Sequence, residues 1–140
     1  MIEVTHTAHT SAARDAVWAL LADLEGWHTW GPWASTTLDG EIRTLVSERK
    51  RLSGKPYVMR ERVLALQPPD RMRYGLLSGL PVRNYTAEVE LHDAAGGTDI
   101  TWKAFFDPPW PLFGGLWRGA MTKVVRDVSE ALAAAADRSR

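Results

Sequence analysis

The sequence predicts an α+β fold, with a long C-terminal helix covering one face of a curved antiparallel sheet of about seven strands. Three observations carry this reading. From Phe113 to Ala135, apolar residues (Phe113, Leu116, Trp117, Ala120, Met121, Val124, Val128, Ala131, Leu132, Ala135) recur at three- and four-residue spacing, while Arg118, Lys123, Arg126 and Glu130 fall opposite them. Before it, about six segments with two-residue alternation follow one another, joined mainly by short turns. Consecutive hairpins of that kind make an antiparallel sheet with one apolar face, and the long helix is the only element large enough to cover it. Two short helices separate the first strand from this run.

Taken in order, Met1 to His9 alternates Ile2, Val4 and His6 against Glu3, Thr5 and Thr7, a first strand. Ser11 is placed to cap a helix over Ala12 to Leu24, whose stripe is Val17, Leu20, Leu21 and Leu24, and Gly26 ends it. Trp27, Trp30 and Trp33 then fall within seven residues. Trp27 and Trp30 lie one short helical turn apart, and Pro32 stops the turn. A connector needs one or two such rings as a plug, so at least one of the three is expected to face a cavity or the surface.

Ala34 to Leu38 and Ile42 to Leu52 form a hairpin about Asp39-Gly40-Glu41. The cluster Arg49-Lys50-Arg51 reads as an exposed face near a sheet edge. Tyr57 to Leu66 divides into Tyr57, Met59, Glu61, Val63 and Ala65 on one face and Val58, Arg60, Arg62, Leu64 and Leu66 on the other. Burying one carboxylate costs less than burying two guanidiniums, so the first set is predicted to face inward. Arg71 to Ser78 carries Met72, Tyr74 and Leu76 on one side. Arg83 to His92 sets Tyr85, Ala87, Val89 and Leu91 together, and Thr98 to Asp107 does the same with Ile100, Trp102, Ala104 and Phe106. Pro108-Pro109-Trp110-Pro111 is a stiff lead into the last helix.

Composition narrows the function. The chain of 140 residues fits one domain spanning 1–140. Seventeen basic residues balance seventeen acidic ones, so no excess charge points to nucleic acid. The absence of cysteine excludes disulfides, thiolate nucleophiles and cysteine-held metals. The N-terminus lacks the plan of a signal peptide, and no apolar run approaches the ~20 residues that span a bilayer. The expectation is a cytoplasmic protein with no membrane span, a monomer or weak homodimer. His6, His9, His28 and His92 show no paired spacing, so no metal is expected; no phosphate or dinucleotide loop is present either, so no cofactor is.

The run Ala16 to Trp27 with Trp30 behind it, Glu61-Arg62-Val63 leading to Pro68-Pro69, Gly96 to Trp102, and the terminal helix together resemble the polyketide cyclase/dehydrase branch of the START-like (SRPBCC, helix-grip) superfamily. The resemblance covers essentially the whole chain, through structural signatures and no single diagnostic motif. It implies a seven-stranded sheet gripping the C-terminal helix around a deep hydrophobic cavity. Members transport lipids or sterols, bind hormones, or cyclise and dehydrate polyketides. The glycine-rich loop of plant allergen members is reduced here to Asp39-Gly40-Glu41, and the arginine and tyrosine set of aromatase/cyclases has no match by position, although Arg83, Tyr74 and Tyr85 are available.

The residues thereby singled out for a pocket are Trp30, Met59, Glu61, Tyr74, Tyr85, Trp102, Phe106, Phe113, Trp117 and Met121. Gly114, Gly115 and Gly119 beside the bulky residues of the last helix suit the wall or lid of a cavity of several hundred Å³, within the ~300–1,000 Å³ usual for ligand sites. Glu61 is the best polar candidate, as a general base or as an anchor for a ligand hydroxyl; an ion pair with an arginine is the plainer role. Tyr74 and Tyr85 can donate hydrogen bonds or serve as amphipathic lining. Two functions follow. One is a carrier or sensor of a small lipophilic or aromatic molecule; the other is a cyclase/dehydratase-like lyase acting without metal or nucleotide. An enzyme needs two or more convergent polar groups, where a carrier manages with one or none.

Overall fold

Strand alternation decides which side of the sheet is inside. In the computed structural model, which describes residues 1–139 apart from the side chains of Arg49 and Leu112, β7 (Gly97–Asp107) buries Thr98, Ile100, Trp102, Ala104 and Phe106 and leaves the intervening residues half-exposed. The same period of two runs through β6 (Arg83–Ala94), β5 (Arg71–Ser78) and β1 (Ile2–Thr10). In β4 (Pro56–Gln67), Met59, Glu61 and Val63 turn inward and Arg60, Arg62 and Leu64 outward, the parity the charge argument predicts. With β2 (Trp33–Asp39) and β3 (Ile42–Lys50), these strands form one antiparallel sheet in the order β1-β7-β6-β5-β4-β3-β2. Among the described residues, only the β1–β7 pair joins strands distant in sequence, from Ile2 opposite Phe106 to Thr10 opposite Thr98. Register shifts in the β2–β3, β3–β4, β4–β5 and β6–β7 pairs add local bend and twist, which curves the sheet.

Helix α2 (Gly114–Arg138) lies in the concave face, against β1 and β7 and against α1 (Arg14–Ala22). Its C-terminal half is closely packed: Val125, Val128, Leu132 and Ala136 are buried, and buried Ser129 returns its hydroxyl to the Val125 carbonyl at 2.6 Å. Asp137 pins that end by accepting from Thr10 Oγ1 (2.7 Å), Ser11 N (2.9 Å) and Ser11 Oγ (2.8 Å).

Two local expectations are corrected. Ser11 is not a cap: α1 begins at Arg14 behind Ala13, and the Ser11 hydroxyl is held by Asp137. Phe113 belongs to a separate 3-10 turn (Pro111–Phe113), and the apolar stripe of α2 is not buried along its length, since Leu116 and Val124 are exposed while Val125 is buried. The basic trio is exposed where it is described, as expected: Lys50 and Arg51 are both exposed, Arg51 standing 5.0 Å from the Tyr57 ring centroid, and the Arg49 side chain lies outside the described residues. No helix among the described residues is long and apolar enough to cross a membrane.

Candidate functional site

Between the sheet and the first half of α2 lies an interior pocket of about 190 Å³, smaller than the several hundred Å³ expected from sequence. Its far wall is sheet: Met59 and Glu61 of β4, Tyr74 and Leu76 of β5, Tyr85 of β6 and Trp102 of β7. Its near wall is α2, through Trp117, Met121, Val125 and Val128, with Trp33 and Leu80 at the sides. A groove of about 530 Å³ shares Trp33, Met59, Ala120, Val124 and Val128 with this pocket and extends it toward Pro32 and Glu48. A second groove of about 380 Å³, formed by Trp110, Phe113, Leu116, Trp117 and Ala120, adjoins it at Trp117 and Ala120.

The tryptophan-rich turn builds the back of the site. Trp27 opens a 3-10 turn (Trp27–Thr29) and is buried at the centre of an aromatic cluster, with centroids 5.2 Å from Trp30, 5.6 Å from Trp33 and 5.5 Å from Trp102. Its indole N–H donates to the Leu21 carbonyl at 2.9 Å, which fixes the ring to the end of α1. Gly31 is required there: a Cβ would stand 2.1 Å from the Trp33 ring.

Arg43 is the residue the sequence reading missed. It is fully buried, with its guanidinium 3.6 Å above the Trp27 ring centroid and 5.6 Å from that of Tyr74. It stands opposite Glu61 in the β3–β4 register, and its Nη2 donates to Glu61 Oε1 at 2.7 Å. Arg43 Nε and Nη1 have no hydrogen-bond partner among the described residues. The one signal for this arrangement in the sequence is that Arg43 shares the parity of buried Leu45. Burial pushes the Glu61 carboxyl up from the ordinary carboxylate value, and the Arg43 charge and hydrogen bond pull it part of the way back.

The two tyrosines flank this pair. Trp102 Nε1 donates to Tyr74 Oη at 3.2 Å, and Tyr85 stands on the same wall. Burial, reinforced by the negative charge of Glu61, holds both phenols well above their usual range. Both are therefore neutral hydrogen-bonding groups at any physiological pH.

Of the residues singled out from sequence, Met59, Glu61, Tyr74, Tyr85, Trp102, Trp117 and Met121 meet around the interior pocket. Three lie elsewhere. Trp30 is buried against Trp27 and Trp33, with no partner for its indole nitrogen among the described residues. Phe106 is buried 6.5 Å from Tyr85 and is absent from the lining. Phe113 is half exposed and pairs with Trp110 in the outer groove. Leu80, which does line the pocket, comes from a loop where no periodicity could mark it.

A curved seven-stranded antiparallel sheet wrapped on a C-terminal helix, two short helices after the first strand, and an apolar cavity between them define a START-like helix-grip protein. The chain belongs to the family described as polyketide cyclase / dehydrase and lipid transport, whose sequence profile matches residues 1–137. No curated protein sequence matches it. Among solved structures, the protein XoxI from Bacillus cereus superposes with a TM-score of 0.82 at 19% identity, covering 100% of this chain and 99% of that one. A START superfamily protein from Mycobacterium smegmatis gives 0.80 at 13% identity, covering 99% of each. The di-domain ARO/CYC StfQ of the steffimycin biosynthetic pathway gives 0.75 at 14% identity, covering 98% of this chain and 49% of that one. At these identities the likeness is one of fold.

Proposed function

We propose that this protein binds a small lipophilic or aromatic molecule in the interior pocket and acts as its carrier or sensor. The observation that carries the reading is the pocket itself, an apolar cleft between sheet and α2 with a few convergent polar groups, Glu61, Tyr74 and Tyr85, grouped on the sheet wall. Membership of a family described by cyclisation, dehydration and lipid transport supports it. An environment-sensitive dye such as 8-anilinonaphthalene-1-sulfonate is expected to bind, quench tryptophan fluorescence and be displaced by lipophilic competitors. A folded protein that takes up no dye and no competitor would contradict the reading.

A second reading, a cyclase/dehydratase-like enzyme in the same cavity, is favoured by one observation: three polar side chains converge where a carrier needs one or none. Here Glu61 would be the base and the neutral tyrosines would donate to a carbonyl oxygen. An enzyme of this kind, changed at Glu61→Gln, keeps its ligand and loses turnover by the roughly 10²–10⁴-fold typical of a missing general base. A carrier has no turnover to lose.

A further inference from the structure

The polar wall of the pocket has a direction. An indole N–H can only donate, so the Trp102–Tyr74 bond runs from Trp102 Nε1 to Tyr74 Oη. Tyr74 accepts there and keeps its own O–H, and both Tyr74 and Tyr85 line the pocket. Among the described residues no hydrogen bond joins the proton of either phenol to Glu61 or to another acceptor. Glu61 also lines the pocket, and its Oε1 is engaged by Arg43. A carboxylate offers about four acceptor positions, so one bond from Arg43 leaves acceptor capacity free. The wall thus presents two donors, Tyr74 and Tyr85, and one acceptor, Glu61, within a lining that is otherwise apolar.

Pocket size limits what can meet them. Cavities of about 150 Å³ hold benzene, so about 190 Å³ accommodates one substituted ring. A hydroxyl satisfies all three, because its one oxygen accepts through two lone pairs and donates one proton. We infer that the interior pocket takes a neutral single-ring phenol, whose hydroxyl accepts from Tyr74 and Tyr85 and donates to Glu61 while its ring lies between Trp102 and Met121. A longer substituent on the ring leaves along the groove toward Pro32. The competing chemistry is a carboxylate ligand, which the two unpartnered N–H groups of Arg43 would favour and the charge of Glu61 would repel.

The inference rests on the binding reading above, and four probes of one size separate the two: p-cresol, 4-methylanisole, toluene and 4-methylbenzoate, titrated into the full chain at pH 7 and followed by tryptophan fluorescence. p-Cresol is expected to bind roughly tenfold more tightly than toluene, as one well-formed hydrogen bond allows, with the methyl ether between them because it accepts from the tyrosines and cannot donate. Tyr74→Phe with Tyr85→Phe should bring 4-methylanisole down to the affinity of toluene without moving toluene itself, and Glu61→Gln should narrow the lead of p-cresol over the ether. Equal binding of p-cresol and toluene would overturn the phenol assignment and leave the binding reading standing. Tighter binding of 4-methylbenzoate than of p-cresol would overturn it in favour of anion recognition through Arg43. Binding by none of the four would overturn both.

Discussion

Glu61 and Arg43 are each explicable only through the other. The carboxylate faces inward because the alternative parity would bury two guanidiniums, and that much could be read from β4 alone. Its partner could not. Arg43 sits on a strand with weak alternation, and what makes its burial tolerable is the Trp27 face beneath it and Glu61 across the strand pair. Neither contact is local in sequence. The pH dependence follows from the direction of the Glu61 shift. Because the folded value lies above the ordinary 4.5, the contribution of this group to stability is fully present below that pH and lost as pH rises through the folded value. Glu61→Gln, which keeps the shape and still accepts from Arg43, should be more stable than wild type near neutral pH and lose that advantage in acid. Arg43→Met removes what pulls the carboxyl down. It should raise the Glu61 pKa further, enlarge the loss of stability on going from acid to neutral pH, and cost on the order of 3 kcal/mol at pH 7. Carboxyl NMR titration and denaturant melts at pH 4 and pH 7 check both variants. A Glu61 pKa below 4.5 in wild type would reverse the sign of the first effect.

At the scale of elements, α2 has two unlike halves. The C-terminal half is buried on small and branched residues and pinned through Asp137. The N-terminal half carries Gly114, Gly115 and Gly119, and an added Cβ at Gly115 or Gly119 would meet no atom within 4 Å. These glycines are therefore not needed for packing, and each weakens the helix by roughly 0.5–1 kcal/mol relative to alanine. The same turns supply Trp117 and Met121 to the pocket, and ligand entry is predicted at this end. The double variant Gly115→Ala with Gly119→Ala should be more stable by about 1–2 kcal/mol and exchange its ligand more slowly, as stopped-flow dye release would show. Unchanged release from a folded double variant would contradict a gate at this end. The apolar period of α2 was legible from sequence. That its first turns border grooves, leaving Phe113 and Leu116 exposed, was not, because periodicity reports which residues share a face and not whether anything fills the space beside them.

For the whole molecule, strand order and sheet curvature bring residues from β4, β5, β6 and β7 to one wall opposite α2. The element order and the inward parity of Met59, Glu61, Tyr74, Tyr85 and Trp102 were readable because alternation is a local property. Cavity size was not, because it depends on how far Trp33 and Trp117 lean into the space. Seven tryptophans supply the most direct test of the central claim, that a small apolar molecule enters this interior. Each indole N–H gives its own peak in a ¹⁵N–¹H correlation spectrum, and the seven can be assigned by single Trp→Phe changes. On titration with toluene the account predicts that the Trp33, Trp102 and Trp117 peaks shift, with Trp27 following through its contacts, while Trp18 on α1 stays in place. Shifts confined to Trp110 and Trp117 would place the ligand in the outer groove and contradict the account, as would a spectrum that does not move at all.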